Sequence, residues 1–462
     1  MSSEQRTNER EPEFSLDSIS DEFDWVVVTS ADIQGRLFGR RVSARDFVKS
    51  VATKGVLVSA CVYSWDIAQD ATMLATGALD YCGFHTGMGD FTLLPDLTTL
   101  RRAGWLNRTA ICLARSVEPH GEITPVAPRE LLIAELARWK SQGLHPSVGL
   151  ELEFYLYQGT PREARARSYR DLEPTTATPA DYSIYEGEAY EEFFADVRHR
   201  LAASRIEVEA SAIEWGLGQW ETTLKHTDPL EMADQSALYK LATKTLAARA
   251  GMSATFMAKP YDGGPGSSCH VHLSVRNDSG EPIFWNDAAE HNISDELRHA
   301  VGGALEHAGE FMSWYAPTVN SYRRIRGVDA AGWGMTWAYE HRFASVRVLG
   351  AEADDIRLEF RLPGADANPY LVLTALLASV RDGLSRQTDP GPALIGNPYE
   401  KPATGIAQDL GQAVDALAAG TFAREVVGES TVEHFLALTR WEWSQFLDSV
   451  SEWDRVRYFD LI

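Results

Sequence analysis

The spacing of apolar and polar residues divides the chain into short strands and longer helices. In "FDWVVVTSADIQGRLFGRRV" two apolar segments flank Asp32 to Gly35, which predicts a hairpin turn. "ARDFVKSVATKG" reads as a short helix stopped at Gly55, and "TAICLARSV" as another strand. Residues 24–115 are therefore expected to form a small sheet-and-helix domain, after a flexible polar lead-in over residues 1–23. A larger domain is expected over 116–462, opening with a helix that begins just after Pro128 and ends at Gly143. Residues 158–185 are polar, rich in Pro, Thr and Arg, and predict a long loop. "EAYEEFFADVRHRLAAS" and "DPLEMADQSALYKLATKTLAARAG" carry helical spacing, and strands follow at "ATFMAK", "SCHVHLSVR" and "DIRLEFRLP". The last hundred residues or so read as mainly helical, and no internal repeat is visible.

One predicted strand, "VGLELEFYLY", holds two carboxylates inside an apolar run. Glu151 and Glu153 lie two residues apart, so a strand points both to the same side. Like charges that close repel, and burial makes the repulsion worse, so a positive partner is required. The pattern recurs. "CHVHLSV" sets His270 and His272 on one face, "IRLEFRL" does so for Arg357, Glu359 and Arg361, and "IEWGLGQWE" supplies Glu214 and Glu221. Taken singly, these are solvated faces, structural histidines or charges at a helix start. Taken together, many carboxylates with few histidines suit a hard divalent cation, Mg²⁺ or Mn²⁺, rather than zinc. Arginines beside them suit phosphate and carboxylate ligands. Cation, phosphate and arginine in one place describe phosphoryl transfer from a nucleotide, although no Walker A motif or kinase Gly-rich loop is present.

Composition narrows the partners. Hydrophobic residues make up 44% and charged residues 24%, as in ordinary globular proteins. The net charge of −23 is spread along the chain, which argues against nucleic acid as a partner and is compatible with a cationic substrate. The four cysteines have no CxxC spacing, so neither a disulfide framework nor a structural zinc site is expected. The opening residues lack an apolar signal core and no run of 18 apolar residues follows, so a cytoplasmic protein without a membrane partner is expected.

The order of motifs resembles the glutamine synthetase family from "DIQGRLFGRR" to "WEWSQFLDSVSEWDRVRYF". It passes through "LPDLTTL", "APRELL", "GLELEFY", "EWGLGQWE", "ADQSALYK", "ATFMAKP", "GSSCHVHLS", "NSYRRI" and "RLEFRLPGADANPYL". The resemblance implies an α+β fold, with an N-terminal β-grasp domain and a catalytic domain built on a half-barrel sheet. It also implies sites between subunits and a homo-oligomer, commonly a dodecamer of two stacked six-membered rings. The implied chemistry uses ATP to phosphorylate the γ-carboxylate of L-glutamate, after which an amine displaces phosphate. Carried over by position, Glu153, Glu214 and Glu221 correspond to ligands of one metal, and Glu151, His270 and Glu359 to ligands of a second. The two carboxylates of "ELE" would then face different cations. Arg342 and Arg347 match phosphate contacts, with Arg342 against the transferring group. Arg357, Glu209, His272 and Ser274 match nucleotide contacts, and Arg324, Arg361 and the backbone at Gly266 match the glutamate grip.

Departures from the family pattern concern the amine. The Asp-Gly-Ser-Ser segment that helps bind ammonium has no counterpart in "LVSACVYSWDIAQ". The flap glutamate falls on Ala330, with Asp329 one residue before it. "GSSCH" replaces the usual Gly-Ser-Gly-Met-His, and Pro265 stands where an Asn usually touches glutamate. Without two acids to concentrate ammonium, the chain is closer to the branch making γ-glutamyl polyamines or γ-glutamyl ethanolamide. Ethanolamine is the favoured amine and a putrescine-type polyamine the second, with Asp329 or Asp66 as candidate bases. Three other readings stay open: authentic glutamine formation, a non-catalytic sensor or scaffold, and a metallohydrolase built on His270 and His272. Tyr399 lies near a position that some relatives modify, but its surroundings support no assignment.

Overall fold

Val26 and Val28 are wholly buried while Val27 between them is half-exposed, the alternation that makes β1 (Trp25–Ala31) one wall of a small core. The computed structural model describes residues 14–326, 332–400 and 403–462. β1 turns into β2 (Leu37–Ser43) through the predicted hairpin, where Asp32 Oδ1 accepts from the backbone of Gln34 and Arg36. β3 (Val56–Ser59), β4 (Asp90–Pro95), β5 (Arg101–Arg102) and β6 (Thr109–Val117) complete a six-stranded sheet. Its order is β2-β1-β6-β4-β3, with β5 on β6 and β1 parallel to β6 at the centre, the arrangement of a β-grasp. Ahead of β1, Ile19 in a short helix (Ile19–Glu22) and Phe23 pack into this core with almost no exposure.

The second sheet has eight strands: β7 (Leu144–Gln158), β8 (Val208–Ile213), β9 (Gln219–Thr227), β10 (Met252–Thr255), β11 (Cys269–Asn277), β12 (Trp337–Tyr339), β13 (Val346–Leu349) and β14 (Arg357–Phe360). The order is β12-β13-β14-β11-β7-β9-β8, with β10 on the far end of β7. Leu150, Leu152, Phe154 and Leu156 of β7 are fully buried on the outer side, among helices that include Pro128–Ser141 and Pro229–Arg249. The curled sheet, a half-barrel with helices outside, therefore keeps its inner face for ionisable residues. Within residues 158–185 a short helix, Pro161–Ala166, interrupts the expected loop. Its start is a capping box in which Thr160 and Glu163 bond each other's backbone.

Buried ion pairs tie the first sheet to the helices outside the second. Arg101 of β5 donates to both oxygens of Glu231, and Arg129 bridges Asp96 and Asp234. Among the described residues no helix is long and apolar enough to cross a membrane.

Helix Glu429–Asp448 closes over the first sheet and buries His434, whose Nε2–H donates to the Tyr63 carbonyl at 2.7 Å. Burial pushes this imidazole down to about 4, with the carbonyl opposing. Between that value and the ordinary 6.5, the unfolded chain binds a proton that the folded one refuses. The stabilisation is thus complete above 6.5 and is lost as pH falls toward 4. Unfolding free energy should drop by about 2 kcal/mol between pH 7 and 5 from this group alone. Urea melts of the unaltered protein and His434→Gln at both pH values check this. An equal pH slope in the two proteins would remove His434 as its source.

Candidate active site

Strand register assembles the site. Because Glu151 and Glu153 alternate with the buried leucines of β7, both emerge on the inner face. β11 runs antiparallel beside β7 and sets His270 opposite Glu151. β14 sets Glu359 opposite His272, β13 sets Arg347 opposite Glu359, and β9 sets Glu221 opposite Glu153. Glu151 is hydrogen-bonded to both histidines, at 3.1 Å from His270 Nδ1 and 2.8 Å from His272 Nε2. Glu359 Oε1 lies 3.6 Å from His270 Nδ1.

Two sets of donors are close enough to share a cation. Glu151, His272 and Glu359 offer ligand atoms within 4.8 Å of one another, and so do Glu151, Glu221 and His270. The residues fit a divalent cation on a second ground. His270 Nε2 is buried and has no hydrogen-bond partner; with Nδ1–H donating to Glu151, it is a bare lone pair. The carboxylates are correspondingly strained. Burial and then the Glu153 and Asp181 carboxylates raise the Glu214 pKa well above the usual range. Burial and then Glu151, Glu153, Glu214 and Glu359 do the same to Glu221. Burial also opposes charge on Glu151, but hydrogen bonds from His270 and His272 outweigh it and hold that carboxyl far below the usual range.

Residues 125–458 match the family model for the glutamine synthetase catalytic domain. The chain belongs to the glutamine synthetase family. It is an enzyme of the ligase class, and its similarity reaches the amine-using members. It is 32% identical over 442 residues to the glutamate–isopropylamine ligase of a Pseudomonas species, covering 95% of each chain. It is 33% identical over 439 residues to the gamma-glutamylethanolamide synthetase GlnA4 of Streptomyces coelicolor, covering 95% of this chain and 93% of that one. A solved GmaS/ADP complex superposes with a TM-score of 0.83 at 27% identity, over 96% of this chain and 99% of that chain.

Within this glutamine synthetase frame, Glu153 bonds to a different set of partners from Glu151. Its Oε2 accepts from Gln219 Nε2 at 3.0 Å and from the Ser268 backbone at 2.9 Å. Gln219 also donates to the Gly266 carbonyl and accepts from the Gly216 N–H, so one amide joins two loops to the strand bearing Glu153. At Gly216 an added Cβ would meet Tyr155 Oη at 2.2 Å, and at Gly266 it would meet Arg324 Cγ at 2.5 Å. Both positions exclude a side chain. The sequence reading missed Gln219, although it lies two residues before Glu221 and so on the same strand face. Glu214 follows the last residue of β8 and Glu221 lies within β9, so neither is a helix-start charge.

The arginines form a basic rim. Arg347 donates to Glu359 and Glu340, Arg361 to Glu359, and Arg357 to His272 Nδ1 at 3.2 Å. Arg342 is exposed in the turn before β13. Arg324 is fully buried and donates to Ser268 Oγ and to the carbonyls of Leu362 and Arg361, a position that supports the loop beside Gly266. Ser274 is half-buried on β11, on the face shared with His270 and His272. Glu209 is exposed on β8, at a shift in its register with β9.

Asp66 is not brought to this cluster. It is buried beneath helix Glu429–Asp448, where it accepts from Asp70 N–H and Trp441 Nε1. Asp329 and Ala330 lie outside the described residues. Tyr399 is half-buried, edge-on to Trp333 and Phe343.

Proposed function

We propose that this enzyme joins the γ-carboxylate of L-glutamate to a small organic amine at the expense of ATP, with ethanolamine favoured over putrescine or spermidine. A γ-carboxylate oxygen attacks the ATP γ-phosphorus and ADP leaves. The amine nitrogen then attacks the acyl carbon of γ-glutamyl phosphate, loses a proton and releases phosphate. Glu151, His270 and Glu359, joined by His272, would hold one divalent cation (Mg²⁺ or Mn²⁺), and Glu153, Glu214 and Glu221 another. Such cations neutralise phosphate charge during transfer. Arg342, Arg347 and Arg357 would hold the polyphosphate, with Glu209 and Ser274 beside the nucleoside, while Arg361 and the Gly266 backbone, backed by Arg324, take glutamate.

The observation that carries this reading is the pairing of a full carboxylate–histidine–arginine site with the missing ammonium acids. Ala330 stands at the flap position, and Asp66 is occupied by Trp441. Likeness to an isopropylamine ligase and an ethanolamide synthetase along 95% of the chain supports an alkyl amine. An alkyl amine recovers affinity that ammonium loses by burying carbon, at about 0.8 kcal/mol per methylene. A hydroxyl adds a hydrogen bond.

On this reading the enzyme works in the cytoplasm as a dodecamer of two stacked rings. Trp453, Val456 and Phe459, at the exposed C-terminal end, support self-association. Phosphate release with glutamate, ATP and each of ethanolamine, putrescine, spermidine and ammonium tests the amine, on enzyme whose mass is measured by light scattering. Ethanolamine should give the highest catalytic efficiency, about tenfold or more above ammonium. A higher efficiency with ammonium overturns the alkyl-amine reading, a higher one with putrescine overturns the ranking, and a monomer mass removes the rings.

A further inference from the structure

Gln219 is only 1% exposed, and both ends of its side-chain amide are engaged. Nε2 donates to Glu153 Oε2 at 3.0 Å and to the Gly266 carbonyl at 2.9 Å. Oε1 accepts from the Gly216 N–H at 3.0 Å, in the loop between Glu214 and Glu221. The amide can sit only this way round, because two acceptors meet its nitrogen and a backbone donor meets its oxygen. The Tyr155 hydroxyl lies 3.3 Å from the same oxygen and donates to the Pro265 carbonyl at 2.7 Å.

Glu153 meets the segment Gly266 to Ser268 by two routes. The Ser268 N–H donates to its Oε2 directly at 2.9 Å, and the Gly266 carbonyl reaches the same oxygen through Gln219. Among the described residues Glu153 Oε1 accepts no hydrogen bond, which leaves it for a cation. Gly266 is buried, yet among the described residues its N–H also has no partner. A buried backbone donor left over in this way is rare and points to a ligand. The segment has little room to give, since Arg324 Cγ lies 2.5 Å from where a Cβ of Gly266 would stand and its Nη2 holds Ser268 Oγ at 3.0 Å.

We propose that Gln219 is a positioning residue through which a cation at Glu153 and glutamate at Gly266 strengthen each other's binding. The assignment rests on the glutamate–amine ligase reading above. One nitrogen holds a group from each site, so ordering either group orders the amide that both share. The second ligand then finds its site already fixed and loses less freedom on binding. Such coupling is reciprocal by thermodynamic necessity. A cation also attracts the acid directly, and that smaller share does not pass through Gln219.

The test is calorimetry on the assembled enzyme without nucleotide, titrating Mn²⁺ with and without glutamate and glutamate with and without Mn²⁺. In the unaltered enzyme each ligand should tighten the other about twentyfold. Gln219→Met keeps the length of the side chain but has no donor. Gln219→Glu keeps the acceptor for Gly216 but cannot donate to both Glu153 and Gly266, and it carries the test if Gln219→Met fails to assemble. Both should weaken Mn²⁺ about tenfold and leave only about twofold coupling. Tyr155→Phe breaks the bond to Pro265 and leaves both Gln219 donors in place, so it should couple as the unaltered enzyme does. Loss of coupling in Tyr155→Phe equal to that in the Gln219 variants would mean general loosening of the loop and overturn the assignment. Full coupling in the Gln219 variants, or none in an unaltered enzyme that binds both ligands, would overturn it too and leave the ligase reading standing. An unaltered enzyme that binds no glutamate would overturn both.

Discussion

Replacing Glu151 by glutamine should lower turnover on the order of a thousandfold while leaving the fold and assembly in place. Glu151 is the residue shared by both donor sets, one with His272 and Glu359 and the other with Glu221 and His270. Glutamine keeps the shape of the side chain, and its carbonyl still accepts a hydrogen bond from one histidine. The lost negative charge removes a ligand from whichever cation bears on the transferring phosphoryl group. Electrostatic stabilisation of that kind is worth about 4 kcal/mol in a water-poor site, which sets the thousandfold figure. The variant should also lose the rise in melting temperature that Mg²⁺ or Mn²⁺ gives the unaltered enzyme. Phosphate release and thermal melts across a metal titration check both expectations. Turnover close to normal at ordinary Mg²⁺ would take Glu151 out of the site.

Much of this arrangement was legible because charged residues interrupt otherwise apolar strand runs. Glu151, Glu153, His270, His272, Glu359 and Glu221 all interrupt strand runs at period two, and register then brings them together. The long helices were equally plain, with Pro128 at one start and Gly143 beyond its end. What stayed hidden depends on contacts distant in sequence. Nothing local to "YSWDIAQ" says that Trp441, 375 residues away, covers Asp66. The residues around Gln219 give no hint that one amide joins Glu153 to Gly266. The segment carrying Tyr182 reads as loop, and only the bond to Ile213 O shows it fixed beside Glu214. Ile19 and Phe23 fall within a polar opening stretch, yet the first sheet and its helices bury them.

Arg342→Ala should lower kcat about a hundredfold and raise the KM for ATP by no more than about threefold. The site's other arginines are committed: Arg347 and Arg361 to Glu359, Arg324 to backbone and Ser268. Among the described residues, Arg342 has no carboxylate within ion-pair distance, and its side chain is exposed. A guanidinium in that position can meet charge that develops on the transferring group without first breaking a strong pair. Ground-state ATP would already be held by Arg347, Arg357 and the cations, so Arg342 would act chiefly as the phosphoryl group moves. Interactions made mainly in the transition state appear in kcat rather than KM. About 3 kcal/mol, the loss typical of one such donor, gives the expected hundredfold. Arg342→Lys should recover only part of it, because an ammonium restores the charge but not the two-pronged geometry. Initial rates at saturating ATP, glutamate and amine decide the matter. Full recovery of Arg342→Ala by raising ATP would move the residue from phosphoryl transfer to ground-state nucleotide binding.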